Sequence, residues 1–400
     1  MNKGQNRKKV VIIGGGFGGI AVAKKIEKFS DFEVTLVTKN PFFEYYPALY
    51  KLVTGALAIE VCVPYDKIFK KNSNVSVIQG FYDSYDKDKK IVNLLDGQSF
   101  EYDYLVLAMG SQTNYFNIPG IEEFAFSFKS SVEALALKQH FLNILQDSGN
   151  IPKEELIKKF HVTVVGGGPS GVELAGDITT YLRKMTKRYH IDPSFVTVDL
   201  IESNPRVLAM LPPSVSKKAE ARLRRLKVNI YTNRALQAQD LDNVTASGMT
   251  IRSGTVIWTA GTKINDSFSS LPLDAKKRVI VSPDFSIPED KDIFIVGDGA
   301  SAPGTGLAQG AIIHGQYVGD VLISKIKNKK VKPFKIKTMG YLVPIGYSWA
   351  VFSYKNLTIS GFIPWIMRSF VDFQYFTSIV PLSYVFDVFR QGKKYRKGEC

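Results

Sequence analysis

Six glycines at two matched spacings are the residues of this chain best suited to chemistry. Gly14, Gly16 and Gly19 follow the apolar run Val10–Ile13, and Gly166, Gly168 and Gly171 follow Val162–Val165. In a GxGxxG turn the first glycine makes a tight exit from a buried strand. The second lets the backbone approach a pyrophosphate, and the third lets the next helix pack on the strand. That helix start offers unpaired N–H groups and a positive dipole end to the phosphates. One such turn is common without a nucleotide. Two in one chain, each opening a βαβ unit, point to two dinucleotides.

The elements needed to position these turns are legible. Ile20–Phe29 reads as a helix and Glu33–Val37 as the next strand; a helix through about Tyr189 and the strand Val196–Ile201 repeat the pattern. Glu202 ends that second strand, where an acid accepts from a ribose 2′-hydroxyl and repels a 2′-phosphate. Arg206 close by leaves an opening for the phosphate. The first unit has Thr38 at the matching place, then Lys39, which suits either a phosphate or solvent. The strand Tyr102–Met109 ends at Gly110, and Val256–Ala260 ends at Gly261. Lys291–Ala300 sets Asp298 between two glycines at a strand end, compatible with a ligand contact or an ordinary turn. Gly304–Gly315 begins a helix whose start, Gly306–Gln309, can present N–H groups. Pro41–Tyr50, dense in Phe and Tyr, fits either a packed loop or the lining of a flat ligand.

The 400 residues carry a formal net charge of +15, which an anionic membrane, an acidic partner or nucleic acid would each match. Two cysteines, Cys62 and Cys400, rule out a Cys₄ cluster and a CxxC redox pair. His140, His161, His190 and His314 show no ligand spacing, so no metal site is expected and redox chemistry falls to an organic cofactor. The first residues, MNKGQNRKK, contain no apolar stretch of a secretory leader, and Asn2 stands where myristoylation needs glycine.

The last 80 or so residues differ in character. Lys325, Lys327, Lys329, Lys330, Lys332, Lys335 and Lys337 form a basic run, followed by the aromatic, uncharged Tyr341–Tyr354. Phe362, Trp365, Ile366, Phe370, Phe373, Phe376 and Val380 recur at helical spacing, with Arg368 and Asp372 read on the opposite face. Leu382–Phe389 is again apolar, and Arg390, Lys393, Lys394, Arg396 and Lys397 make the tail basic. Arg368, Asp372 and Asp387 interrupt any spanning segment. An apolar face flanked by cations suits a helix lying in a membrane interface, the alternative being a core or dimer helix. This placement of charge requires no nucleic acid.

With both fingerprints, the GPSGVE continuation, VIWTAGT, VGDGA and the aromatic tail, the chain resembles the type II NADH:quinone oxidoreductases, flavoproteins with two dinucleotide-binding domains. The resemblance runs nearly end to end. It implies an α/β fold of two Rossmann-like domains, for FAD (1–115 and 270–325) and for NADH (116–269), and a C-terminal amphipathic-helix membrane-binding region (326–400). It puts FAD at Gly14, Gly16, Gly19, Thr38, Lys39, Gly110, Asp298, Leu307 and Ala308, and NADH at Gly166, Gly168, Gly171, Glu202 and Gly261. Glu173 matches a glutamate near nicotinamide and flavin, although a carboxylate complementing the helix dipole is the plainer alternative. Ala308, Gln309, Ala311 and Gly315 match the quinone motif AQxAxQQG, with Ile313 and His314 replacing its later glutamines. His314 is the residue left to supply a hydrogen bond there. Met109 likewise replaces the usual small hydroxyl. The implied enzyme is peripheral on the cytoplasmic face of the cell membrane, with a homodimer compatible. It passes a hydride from NADH to FAD and two electrons to quinone without pumping ions. The alternatives are an FAD-dependent NAD(P)H reductase with a ferredoxin-like acceptor and a non-enzymatic flavoprotein that binds membrane or nucleic acid and reports redox state.

Overall fold

The computed structural model describes residues 7–336 and 340–398, with side chains as far as Gly392. Residues 1–6, Lys337 and Cys400, and the side chains of Lys393, Lys394, Arg396 and Lys397, therefore lie outside what it describes.

Two parallel sheets carry the two glycine turns. The first unit runs β1 (Lys8–Ile13), α1 (Phe17–Ile26), β2 (Phe32–Thr38), the short helix α2 (Leu49–Val53), β3 (Val75–Gln79) and β4 (Tyr104–Leu107). The second runs β5 (Phe126–Ser127), β6 (His161–Val165), α3 (Pro169–Arg188), β7 (Thr197–Ile201), α4 (Pro213–Arg225), β8 (Val228–Tyr231) and β9 (Thr255–Trp258). The chain then returns to the first sheet with β10 (Ser286–Ile287) and β11 (Asp290–Ile295), followed by α5 (Ala308–Ile326). The first sheet has the order β10-β11-β4-β1-β2-β3 and the second β5-β9-β6-β7-β8. In register, Ile13 pairs with Val37 and Leu107, and Val165 with Ile201 and Trp258. Strand order reverses beside β1 and beside β6, so both turns open at the crevice where such sheets bind ligands.

The central strands are buried on both faces: Val10–Ile13 and Val162–Val165 have almost no exposed surface. Helices on both sides of a parallel sheet demand such unbroken apolar runs. α1 and α5 cross so closely that a Cβ on Gly315 would lie 2.3 Å from the Gly18 carbonyl oxygen. Gly315, matched to a quinone motif in sequence, is thus a helix-crossing residue.

The C-terminal region is more than helices. A three-stranded antiparallel sheet, β12 (Tyr341–Pro344), β13 (Ala350–Tyr354) and β14 (Leu357–Gly361), precedes α6 (Phe362–Ile379) and α7 (Leu382–Gly398). Among the described residues no helix is long and apolar enough to cross a membrane.

α6 turns its charged face toward the protein, and its apolar stripe divides: Phe373, Phe376 and Val380 pack inside while Phe362, Ile366 and Phe370 stay outside. Arg368 and Asp372 point inward: Arg368 Nε lies 3.0 Å from Asp372 Oδ1, and both side chains are about nine-tenths buried. Phe362, Ile363, Ile366, Phe370 and Val371 point outward, Phe370 with 64% of its surface exposed. The physical reason is the partners available inside. The Tyr45 hydroxyl donates to Asp372 at 2.6 Å, Lys51 Nζ to its other oxygen at 3.1 Å, and Arg368 Nη2 to the Pro47 carbonyl at 2.7 Å.

Candidate functional site

The two glycine turns share one geometry. Gly14 and Gly166 adopt φ of +108° and +111°, which a side chain would strain. Their neighbours approach tightly: a Cβ on Gly14 would lie 2.3 Å from the Ala108 carbonyl oxygen, and on Gly166 2.8 Å from Ala260 Cα. A Cβ on Gly19 or Gly171 would lie 1.9 Å from the carbonyl oxygen of Gly14 or Gly166. Gly16 and Gly168 behave differently. Both have ordinary extended backbone, and a Cβ on either would meet nothing within 4 Å. The protein itself does not require glycine there; each bare Cα keeps space open for something outside the chain. Two pyrophosphates fit that space, each facing a helix N-terminus.

The strand ends beside the turns differ as the sequence implies. Glu202 accepts from Gly167 N–H at 2.6 Å through one oxygen and from Asn204 N–H at 2.7 Å through the other. Buried Thr38 sits in the matching place and hydrogen-bonds the Tyr65 hydroxyl at 3.2 Å; Tyr65 donates to the Gly15 carbonyl at 2.8 Å. Tyr65 thus completes the turn that an acid completes in the second unit. Lys39 is exposed at the end of β2.

Across the crevice, Ser111 donates to Asp298 at 2.6 Å, and Lys129 Nζ donates to the Ser111 hydroxyl at 3.0 Å. Burial pulls the Lys129 ammonium down, with Asp298 and Glu133 opposing that shift. Gly110 beside them has open space where a Cβ would stand. Tyr65 and Lys129 carry no sequence motif, and nothing in their local sequence marks them. The aromatic loop proves to be packed. Phe17 meets Phe43 at 5.1 Å and Tyr375 at 5.2 Å, and Tyr45 stacks on Tyr375 at 5.4 Å between ring centres.

Leu307 is the exposed N-cap of α5, with Ala308 and half-buried Gln309 in its first turn. His314 faces the other way. It has no exposed surface, its Nδ1 accepts from Gly297 N–H at 3.3 Å, and its Nε2–H donates to the Pro303 carbonyl at 2.8 Å. Both ring nitrogens are spent on backbone, so His314 braces the turn carrying Asp298 and has none left for an acceptor. Burial lowers its pKa and keeps it neutral. In the second unit, Gly261 has φ +144° and abuts the Phe116 ring.

Glu173 lies beyond the first turn of α3, which contains no acid, so dipole complementation does not explain it. It keeps a little exposure, yet burial pushes its carboxyl up to about 8, with Arg368 pulling down and Asp177 and Asp372 pushing further up. Among the described residues it has no ion-pair partner within reach. A carboxyl held near neutrality is suited to proton exchange.

Residues 8–315 match the pyridine nucleotide-disulphide oxidoreductase family. The sequence has no CxxC pair, and among the described residues Cys62 is buried and free. The type II NADH:quinone oxidoreductase Ndh of Mycobacterium tuberculosis is 32% identical over 90% of this chain and 82% of its own length. The Haemophilus influenzae type II NADH:quinone oxidoreductase is 28% identical over 88% and 90%. The structure of NDH2 from Plasmodium falciparum in complex with NADH superposes with a TM-score of 0.88 at 20% identity, covering 98% of both chains. Paired glycine turns, no CxxC pair and end-to-end likeness lead to one assignment: the chain belongs to the type II NADH:quinone oxidoreductase family of flavoproteins.

Proposed function

We propose that this chain works on a bilayer surface, at its cytoplasmic face, with FAD at the first glycine turn and NADH at the second, and that it reduces a membrane quinone. Gly14, Gly16, Gly19, Thr38, Gly110 and Asp298, joined by Tyr65 and Lys129, hold FAD, with Lys39, Leu307 and Ala308 at the rim. Gly166, Gly168, Gly171, Glu202 and Gly261 hold NADH. The supporting division is an FAD-binding domain of residues 1–115 and 270–325, an NADH-binding domain of 116–269, and a membrane region of 326–400. When bound, FAD supplies the hydride acceptance and onward two-electron transfer that no side chain here can perform. The chain's own groups bind and orient the two nucleotides. Glu173 holds a proton beside the crevice, and Gln309 offers its amide to the acceptor.

One observation carries this reading: α6 turns its charged pair inward beside Glu173 and its apolar residues outward. An outward row of Phe362, Ile366 and Phe370, extended by Leu382, Phe386 and Phe389 of α7, matches a lipid interface. The test is anaerobic reduction by NADH followed by mixing with short-chain quinones. Rapid reoxidation is expected, and failure with every quinone tried overturns the acceptor. A dimer that buries the same apolar face would appear as a concentration-dependent mass in solution.

A further inference from the structure

One helical turn beyond Glu173 stands a second carboxylate, Asp177, at i+4 on the same face of α3. Gly176 precedes it, and a Cβ there would lie 2.9 Å from Gly346 N. The bare Cα lets the turn between β12 and β13 descend onto α3, where the Gly346 N–H donates toward Asp177. Arg222 of α4 fastens that turn, its Nε donating to the Ile345 carbonyl and its Nη2 to the Tyr347 carbonyl, both at 3.2 Å. Tyr347 is 76% exposed. The exposed turn held by Arg222 thus covers Asp177, and Glu173 lies one helical turn further along α3. The other charged and titratable groups facing the pair are Tyr50 and Lys51 from α2 and Arg368 and Asp372 from α6. Among the described residues neither Glu173 nor Asp177 forms an ion pair, and each keeps limited water access.

We propose that Asp177 is the entry point for the solvent proton of the family reaction, taking it beneath the Arg222–Tyr347 turn and handing it to Glu173. The inference rests on the quinone reading above. NADH + H⁺ + quinone gives NAD⁺ + quinol: the hydride carries two electrons and one proton, and the second proton comes from water. A hydronium O–H breaks as an Asp177 O–H forms, and that bond breaks as a Glu173 O–H forms. No electrons move in either transfer. Residues at i and i+4 stand about 5–6 Å apart at Cβ, a gap that one bridging water closes. Burial pushes Asp177 up to about 7, with Lys51, the Gly346 N–H and Arg222 restraining it, and Glu173 sits at about 8.

The test uses the full-length holoprotein. Asp177→Asn is expected to leave flavin bleaching by NADH unchanged while slowing reoxidation by a short-chain quinone about 10- to 100-fold above pH 7. The solvent deuterium isotope effect should rise, and Asp177→Glu should restore the wild-type pH profile. Identical reoxidation rates and isotope effects in Asp177→Asn and wild type from pH 6 to 9 overturn the proposal. Infrared titration of the wild type and of Glu173→Gln gives a second readout that does not depend on turnover. A protonated carboxyl band that disappears near pH 7 and persists in Glu173→Gln is expected; no such band above pH 6 overturns the proposal. Wild-type protein that shows the band but reduces no quinone would refute the acceptor and leave the assignment of Asp177 titration standing.

Discussion

The Tyr45 hydroxyl donates to the Asp372 carboxylate at 2.6 Å, joining two residues 327 positions apart. This contact fastens the C-terminal helix to the aromatic loop of the first domain, with Arg368 and Lys51 sharing the same carboxylate. The bond explains why an apolar helix turns its charges inward. It also makes the orientation of the proposed membrane face depend on one buried carboxylate.

Asp372→Ala is expected to destabilise the folded protein by about 3–5 kcal/mol, because it strands the buried Arg368 guanidinium. Denaturant unfolding measures this. A midpoint equal to wild type would show that the cluster does not hold α6.

Glu173→Gln is expected to change how stability depends on pH. The folded carboxyl has a pKa raised to about 8 from an ordinary 4.5. Below pH 4.5 both folded and unfolded states hold the proton and nothing is lost. Between 4.5 and 8 the unfolded chain releases it while the folded protein retains it, so wild-type stability falls as pH rises. The glutamine variant lacks that slope. Its melting temperature should exceed wild type by roughly 2–4 °C at pH 8.5 and match it near pH 5. Parallel curves across that range would contradict a raised Glu173.

Gly16→Ala and Gly168→Ala separate folding from nucleotide binding. Each new methyl enters open space on backbone that alanine adopts freely, so apoprotein stability should hold or rise by about 0.4–1 kcal/mol. FAD affinity in the first variant and NADH affinity in the second should each fall about tenfold or more, ~1.4 kcal/mol. Flavin retention after gel filtration and the KM for NADH are the measurements. Gly19→Ala is the contrast, since its methyl would collide with the Gly14 carbonyl and lower stability.

Replacing Ile366 and Phe370 together with serine removes exposed apolar surface without touching the inward cluster. Flotation with anionic vesicles should fall sharply, while turnover with a water-soluble quinone analogue stays within about twofold of wild type. Undiminished flotation would move the membrane contact elsewhere.

Local chemistry made much of the molecule readable in advance. The spacing of Gly14, Gly16 and Gly19, and of Gly166, Gly168 and Gly171, announces two strand–turn–helix units, because the first glycine of each takes a dihedral that strains other residues and the third admits a close approach of backbone. Glu202 is readable for the same reason: its place at a strand end follows from distance along the chain. The three-stranded sheet at Tyr341–Gly361 was not legible, since short aromatic runs suit a strand or a buried loop equally. His314 was misplaced because a motif position does not say which side of α5 meets the site.

What the sequence determined by itself was every feature set by neighbours a few residues away: two glycine turns, the acid at one strand end, the lack of a CxxC pair and an apolar C-terminal helix. What the tertiary structure decided were the meetings between distant segments. Tyr65 completes the turn beside Thr38, Lys129 reaches Asp298 through Ser111, and the β12–β13 turn lands on Asp177. Periodicity places the charges of α6 opposite its apolar stripe but does not say which face meets the protein, because a one-dimensional pattern contains only hydrophobicity. Tyr45, Lys51 and the Pro47 carbonyl lie more than 300 residues away, and only folding brings them close enough for Arg368 and Asp372 to be more stable inside than out.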